Sequence, residues 1–165
     1  MAEPLVDKVL RKIGEARELY YRLILVVGPA GSGKTKALQE VSVSTSAPLI
    51  NVNLELSRRM LDLTERQRAL QARKLLGEIV GEVAGNLVLL DNIEILFDVH
   101  LKQDPLRLLQ GLSRNKTVVA AWNGSIVDDR LTYAVPDHPE YRRYPIRDFL
   151  AVSYTHLTLP TICSV

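Results

Sequence analysis

Gly28-Pro29-Ala30-Gly31-Ser32-Gly33-Lys34-Thr35 fits the pattern G-x-x-x-x-G-K-[S/T], and it stands between an apolar run, Leu23 to Val27, and a stretch with helical character towards Val41. A glycine-rich turn can aim successive backbone N–H groups inward, and the helix that follows adds the positive end of its dipole. Glycine supplies the conformations and the clearance that side chains would block. Such a cradle suits a polyanion, with Lys34 reaching the β- and γ-phosphates and the Thr35 hydroxyl coordinating Mg²⁺. The expected ligand is therefore a nucleoside triphosphate with Mg²⁺, bound by Gly28, Pro29, Ala30, Gly31, Ser32, Gly33, Lys34 and Thr35.

Asp91 closes the apolar run LVLL and fits a second metal-holding position, a carboxylate across from Thr35. In many triphosphatases a glutamate comes next and polarises the attacking water, but residue 92 is asparagine, which cannot accept a proton. Glu94 is the acidic candidate: it could turn towards the γ-phosphate, and it could equally be a surface or helix-start residue. Asn123, after the run TVVAAW, could orient water or phosphate through its amide; Asn-Gly is also a turn signal in its own right. Trp122 reads as core or partner surface. Arg114, Arg130, Arg142, Arg143 and Arg147 are candidates for an arginine that stabilises transition-state charge, in cis or from a neighbouring subunit. His100 and His138 have no metal-ligand spacing and no assigned role.

Positioning these groups requires strands that deliver them to one edge. Leu5, Val6, Val9, Leu10, Ile13, Ala16 and Leu19 recur at helical spacing and give a first helix. Leu23 to Val27, Pro48 to Leu54, Asn86 to Asp91 and Thr117 to Trp122 read as strands. Thr64 with Gln67 makes a capping box opening a helix through Val83, and Asp104 with Pro105 starts another. Beyond Asn123, SIVDDRLTYAV reads as a hairpin around Asp128-Asp129, followed by a Pro-containing turn, a YRRY strand and a helix start at IRDFL. Strands alternating with helices predict an α/β fold, a parallel sheet covered by helices.

The chain has 165 residues, 47% of them hydrophobic and 24% charged, enough for one domain with a core. With no apolar run of about 18 residues and no basic-then-apolar N-terminus, a cytoplasmic protein is expected rather than a membrane one. A formal charge of +2, with basic clusters interleaved with glutamates, reads as solvated helix faces, so DNA contact is not indicated. The single cysteine, Cys163, excludes an intramolecular disulfide and a cysteine-based metal site. Residues 152–165, VSYTHLTLPTICSV, carry no charge, and VSYTHLTLPT resembles the translation of a transposase-type adapter from sequencing-library preparation. The expected organisation is a single P-loop domain over residues 1–151 and a non-native tail over 152–165.

With the P-loop, LVLLDNIEILF and VVAAWNG taken together, the chain resembles the AAA+-like branch of P-loop ATPases over roughly residues 5–123. The resemblance implies ATP rather than GTP, and a sensor strand lying between the P-loop strand and the Asp91 strand. INVNLELS, LLDNIEILF, VVAAWNG and LTYAVPDHPEY are similar to the BrxF family of small P-loop ATPases from type 3 BREX phage-defence systems. That likeness implies a Mg²⁺-dependent ATPase subunit working with other defence proteins. It departs from the wider class at Asn92 and in having no helical lid domain with a second sensor arginine. Slow hydrolysis by the isolated chain is the expectation; a non-hydrolysing ATP-dependent switch and a small-molecule kinase are the alternatives.

Overall fold

The protein is described from a computed structural model, over residues 4–29, 31–133, 142–145 and 148–153, without the side chain of Arg142. Helix α1, Leu5–Ala16, leads into β1, Leu23–Gly28, which is buried along its whole length. Helix α2, Lys34–Thr45, precedes β2, Leu49–Asn51, then α3, Val52–Arg59, and α4, Glu65–Gly81. Strand β3, Leu87–Asp91, is followed by 3₁₀ turns at Glu94–Phe97 and Val99–Leu101, helix α5, Pro105–Leu112, and the long strand β4, Thr117–Val127. Strands β5, Arg130–Tyr133, β6, Arg142–Pro145, and β7, Leu150–Ser153, complete the described chain.

The sheet order is β2-β3-β4-β1-β7, and every neighbouring pair along it is parallel. Side chains of a strand alternate between faces, and β1 divides accordingly. Leu23, Leu25 and Val27 join Val88, Leu90, Val118 and Trp122 in a core under α3, α4 and α5, whereas Ile24 and Val26 join Leu89, Val119 and Ala121 under α1 and α2. A strand covered on both faces has no solvent side, which is why LILVV contains no polar residue. Among the described residues no helix is long and apolar enough to cross a membrane.

Local signals set several boundaries. The Thr64 and Gln67 side chains each bond the other's backbone N–H, and Asp104 accepts from the N–H groups of Leu106 and Arg107 with Pro105 in the first turn. Asp128 and Asp129 both adopt positive φ, 52° and 58°, the requirement of a two-residue type I′ hairpin, and β4 pairs antiparallel with β5 around them.

Three expectations are corrected. The strand expected over Pro48 to Leu54 ends at Asn51, whose side chain accepts from Leu54 N at 3.1 Å and so caps α3. Val52, Leu56 and Met60 then bury at four-residue spacing, a helical stripe that the β-branched start of NVNL had masked. The first helix stops at Ala16, leaving Leu19 41% exposed rather than on its apolar face. In place of a helix start at IRDFL, Asp148 takes a φ of 62°, Phe149 is buried in a bend, and Leu150 begins β7; Ile146 and Arg147 lie outside the described residues. The Pro-containing turn and His138 also lie outside them.

The junction expected before Val152 falls inside β7. Val152 pairs with Val26 and is 4% exposed, within the core under α1 and α2. A strand beside β1 needs only an extended backbone and an apolar residue at the inward position, and Val152 meets both conditions whatever its origin. Residues 154–165 lie outside the described residues. Val152→Ala should lower the free energy of unfolding in urea by about 1.5–2 kcal/mol, the burial of two methyl groups. Unchanged stability would mean that β7 contributes no packing.

Candidate functional site

Parallel strands deliver their C-terminal ends to one edge, and the crevice there is the place where open α/β sheets take ligands. Gly28 at the end of β1 is level with Asn123 on β4, and Asn51 at the end of β2 is level with Asp91 at the end of β3. The glycine-rich loop crosses this edge. Gly31 and Gly33 have φ of 77° and 98°, left-handed values that suit glycine, and α2 begins at the next residue, Lys34. Ala30 lies outside the described residues.

Lys34 is 5% exposed and folds back over the loop. Its Nζ donates to the carbonyl oxygens of Gly28 at 2.9 Å and Pro29 at 2.6 Å, and lies 3.3 Å from Ser32 Oγ. Burial pushes the amine below the ordinary lysine value, against the opposing pull of Asp91 and Glu94. The result is a buried cation satisfied by neutral oxygens, which a better anionic partner could displace.

Thr35 Oγ1 donates to Asp91 Oδ2 at 2.6 Å, while Asp91 Oδ1 accepts from Asn92 N at 2.9 Å. Two residues whose codes are 56 positions apart thus meet across the β1–β3 gap, over the end of β4. Glu94 does not point into solvent. Its Oε1 accepts from Asn53 Nδ2 at 3.1 Å and its Oε2 from Asn123 Nδ2 at 3.0 Å. Asn123 is therefore not a turn residue, since β4 continues through it, and Gly124 pairs with Tyr133.

Asn53 is the group that sequence reasoning missed, having been assigned to a strand. It sits in the first turn of α3, where its Oδ1 accepts from Ile95 N at 2.8 Å and its own N–H donates to the Asn92 carbonyl at 2.8 Å. One side chain thereby joins α3 to the turn that carries Glu94. Asn53→Ala would leave Ile95 N unpaired and should cost about 1–3 kcal/mol in chemical denaturation. A loss below about 0.5 kcal/mol would show that water replaces the amide without penalty.

These residues enclose a cleft of about 550 Å³, lined by Gly31, Gly33, Lys34, Thr35, Asp91, Asn92, Glu94 and Asn123 together with Lys36 and Gln39. The volume falls in the range of small-molecule sites. No arginine lines it among the described residues. Arg114 lies at the opposite end of β4, about 20 Å away at the rise of a strand, with its guanidinium 4.7 Å from the centroid of the Tyr20 ring. Arg130 starts β5 beyond the hairpin turn and Arg143 is on β6, both exposed, and Arg147 is outside the described residues. Trp122 is wholly buried, edge-on to Phe97 and donating to Thr132 O at 2.9 Å, so it is core. His100 is half exposed with its backbone N–H on Asp98, away from the cleft.

No family model matches the chain, and no curated protein matches it.

Proposed function

We propose that this cleft binds ATP with Mg²⁺ and that the chain is an AAA+-like P-loop ATPase subunit, slow in isolation. The observation that carries the reading is the meeting, at one sheet edge, of a glycine-rich loop with a buried lysine, a Thr35–Asp91 pair, and a carboxylate held beside Asn123. The strand order agrees with it, since β4, with Asn123, lies between β1 and β3. The residues fit the ligand chemically. Lys34 is a buried cation bonded only to neutral oxygens, and Thr35 and Asp91 together offer a hydroxyl and a carboxylate, the hard oxygen donors that Mg²⁺ prefers. Thr35 and Asp91 would hold the ion, which supplies charge neutralisation on the phosphates.

In this reading the loop N–H groups and Lys34 bind and orient the triphosphate. Glu94 accepts a proton from water, and Asn123 keeps its carboxylate at the phosphate end of the cleft. The supply of cationic charge for the transition state is the missing part. An arginine from a second copy or a partner can contribute roughly 10³–10⁵ in rate, and its lack leaves a loaded but nearly idle enzyme. The likeness of INVNLELS, LLDNIEILF and VVAAWNG to the BrxF family leads us to propose a phage-defence complex as the setting and its protein subunits as the partners.

A second reading is favoured by one observation: both Glu94 oxygens are engaged by amides, which suits an ATP-dependent binding switch that does not hydrolyse. Steady-state ATP turnover separates the two. Slow turnover that rises with protein concentration or with added partner subunits supports the ATPase. ATP binding with no turnover under any of these conditions supports the switch.

Glu94→Gln is expected to keep ATP affinity and lose stimulated turnover, because the amide keeps the size and cannot accept the proton. It also turns one acceptor into a donor facing Asn53 or Asn123, so a modest loss of stability should accompany the kinetic defect. Undiminished stimulated turnover in this variant would remove Glu94 from the chemistry.

A further inference from the structure

The residue after Asp91 is asparagine, and the site still acquires a carboxylate. We infer that Asn92 is a positioning residue acting through its backbone: its left-handed conformation is what delivers Glu94 to the cleft. The inference deepens the proposed function in its consequence for turnover, but its structural content stands without it.

Asn92 has a φ of 52°. Had β3 continued in extended form, Glu94 would lie about 10 Å beyond Asp91 along the strand direction. Instead the chain reverses at residue 92. Ile93, with φ −93° and ψ 10°, is carried into the core at 0% exposure, and the 3₁₀ turn opens at Glu94. That single turn brings the carboxylate back over the strand ends, to 3.1 Å from Asn53 Nδ2 and 3.0 Å from Asn123 Nδ2.

Both backbone groups of Asn92 are committed to this geometry. Its N–H donates to Asp91 Oδ1 at 2.9 Å, and its carbonyl accepts from Asn53 N at 2.8 Å. A residue restricted to negative φ cannot keep both bonds and also send Ile93 inward. Asparagine adopts the left-handed region more readily than other residues with a Cβ, and β-branched residues adopt it least. The Asn92 side chain is thus explained by the turn, and the acidic function moves two positions along to Glu94.

Three variants separate backbone from side chain. Asn92→Gly removes the amide and favours positive φ; Asn92→Ala keeps a Cβ and adds strain; Asn92→Val adds the most. In the 18.5 kDa chain the side-chain amide resonances of Asn53 and Asn123 report on Glu94 with no nucleotide present. The inference expects these two resonances to stay in place in the Gly variant and to move towards the free-amide position in the Ala and Val variants, progressively, while backbone resonances of β1 and α1 stay put. If ATP is turned over, kcat per folded molecule should fall about 10²-fold in the Val variant, as expected for a displaced catalytic group, and recover in the Gly variant. Displacement of the two resonances in the Gly variant, or their retention in the Val variant, overturns the inference. A wild-type chain that binds no nucleotide but shows the Gly and Val pattern would defeat the proposed function and leave the positioning role standing.

Discussion

Lys34→Ala should eliminate the thermal stabilisation that ATP with Mg²⁺ confers on the wild-type chain. A ligand at a hundred times its dissociation constant adds about 2.7 kcal/mol to the folded state, and for the variant the expected addition is zero. The reasoning starts from burial. Lys34 Nζ occupies the mouth of the loop, within 2.9 Å of Gly28 O and 2.6 Å of Pro29 O, and it is the buried cation of the cleft. Removing it leaves the N–H cradle facing several phosphate charges with Asp91 and Glu94 close by. Without nucleotide the variant should remain within about 1 kcal/mol of wild type, because the relief of lysine desolvation offsets the hydrogen bonds it loses. Lys34→Arg is not a conservative control: a planar fork needs width that a side chain 5% exposed does not have. Differential scanning with and without ATP measures the effect, and an ATP-induced shift of wild-type size in the Ala variant would remove Lys34 from the binding site.

Gly124→Ala should be strongly destabilising, by about 3 kcal/mol or more. A Cβ at Gly124 would stand 1.8 Å from Thr132 O and 2.8 Å from Thr132 C, both backbone atoms, and 3.1 Å from Trp122 Nε1. Backbone cannot yield as a flexible side chain does, so β4 and β5 must part and the Trp122–Thr132 hydrogen bond must break. The damage reaches the site through aromatic packing. Tyr133 on β5 stacks on Phe97 at 3.5 Å, and Phe97 ends the 3₁₀ turn that Glu94 begins. Urea unfolding should therefore show a lower midpoint, with the Asn123 side-chain amide perturbed. Wild-type stability would mean that the two strands approach less closely than described.

What was legible in the sequence is what is decided locally. The glycine-lysine loop, the Thr64–Gln67 box and the Asp104–Pro105 start each depend on residues within a few positions of one another. Buried strands were legible as apolar runs because both faces are covered. The misread segments are those decided at long range. Asn51-Val52-Asn53 can extend a strand or open a helix; the contacts of Asn53 with Asn92 and Glu94, some forty residues on, favour the helix. Asn123-Gly124 resembles a turn because the strand that pairs with it, with Tyr133 opposite Gly124, is invisible in the local string. Glu94 was legible only as an acidic residue with two open readings, and of the amides that hold it Asn123 was legible through its strand and Asn53 not at all.

Titration of ATP into the purified chain by calorimetry, with Mg²⁺ and with a chelator, decides whether this cleft binds ATP with Mg²⁺. Saturable binding is expected at one site per chain, weakened by the chelator, weakened in Asp91→Ala more with Mg²⁺ than without it, and absent in Lys34→Ala. No saturable heat at millimolar ATP in the wild-type chain, or equal binding by wild type and Lys34→Ala, would contradict it.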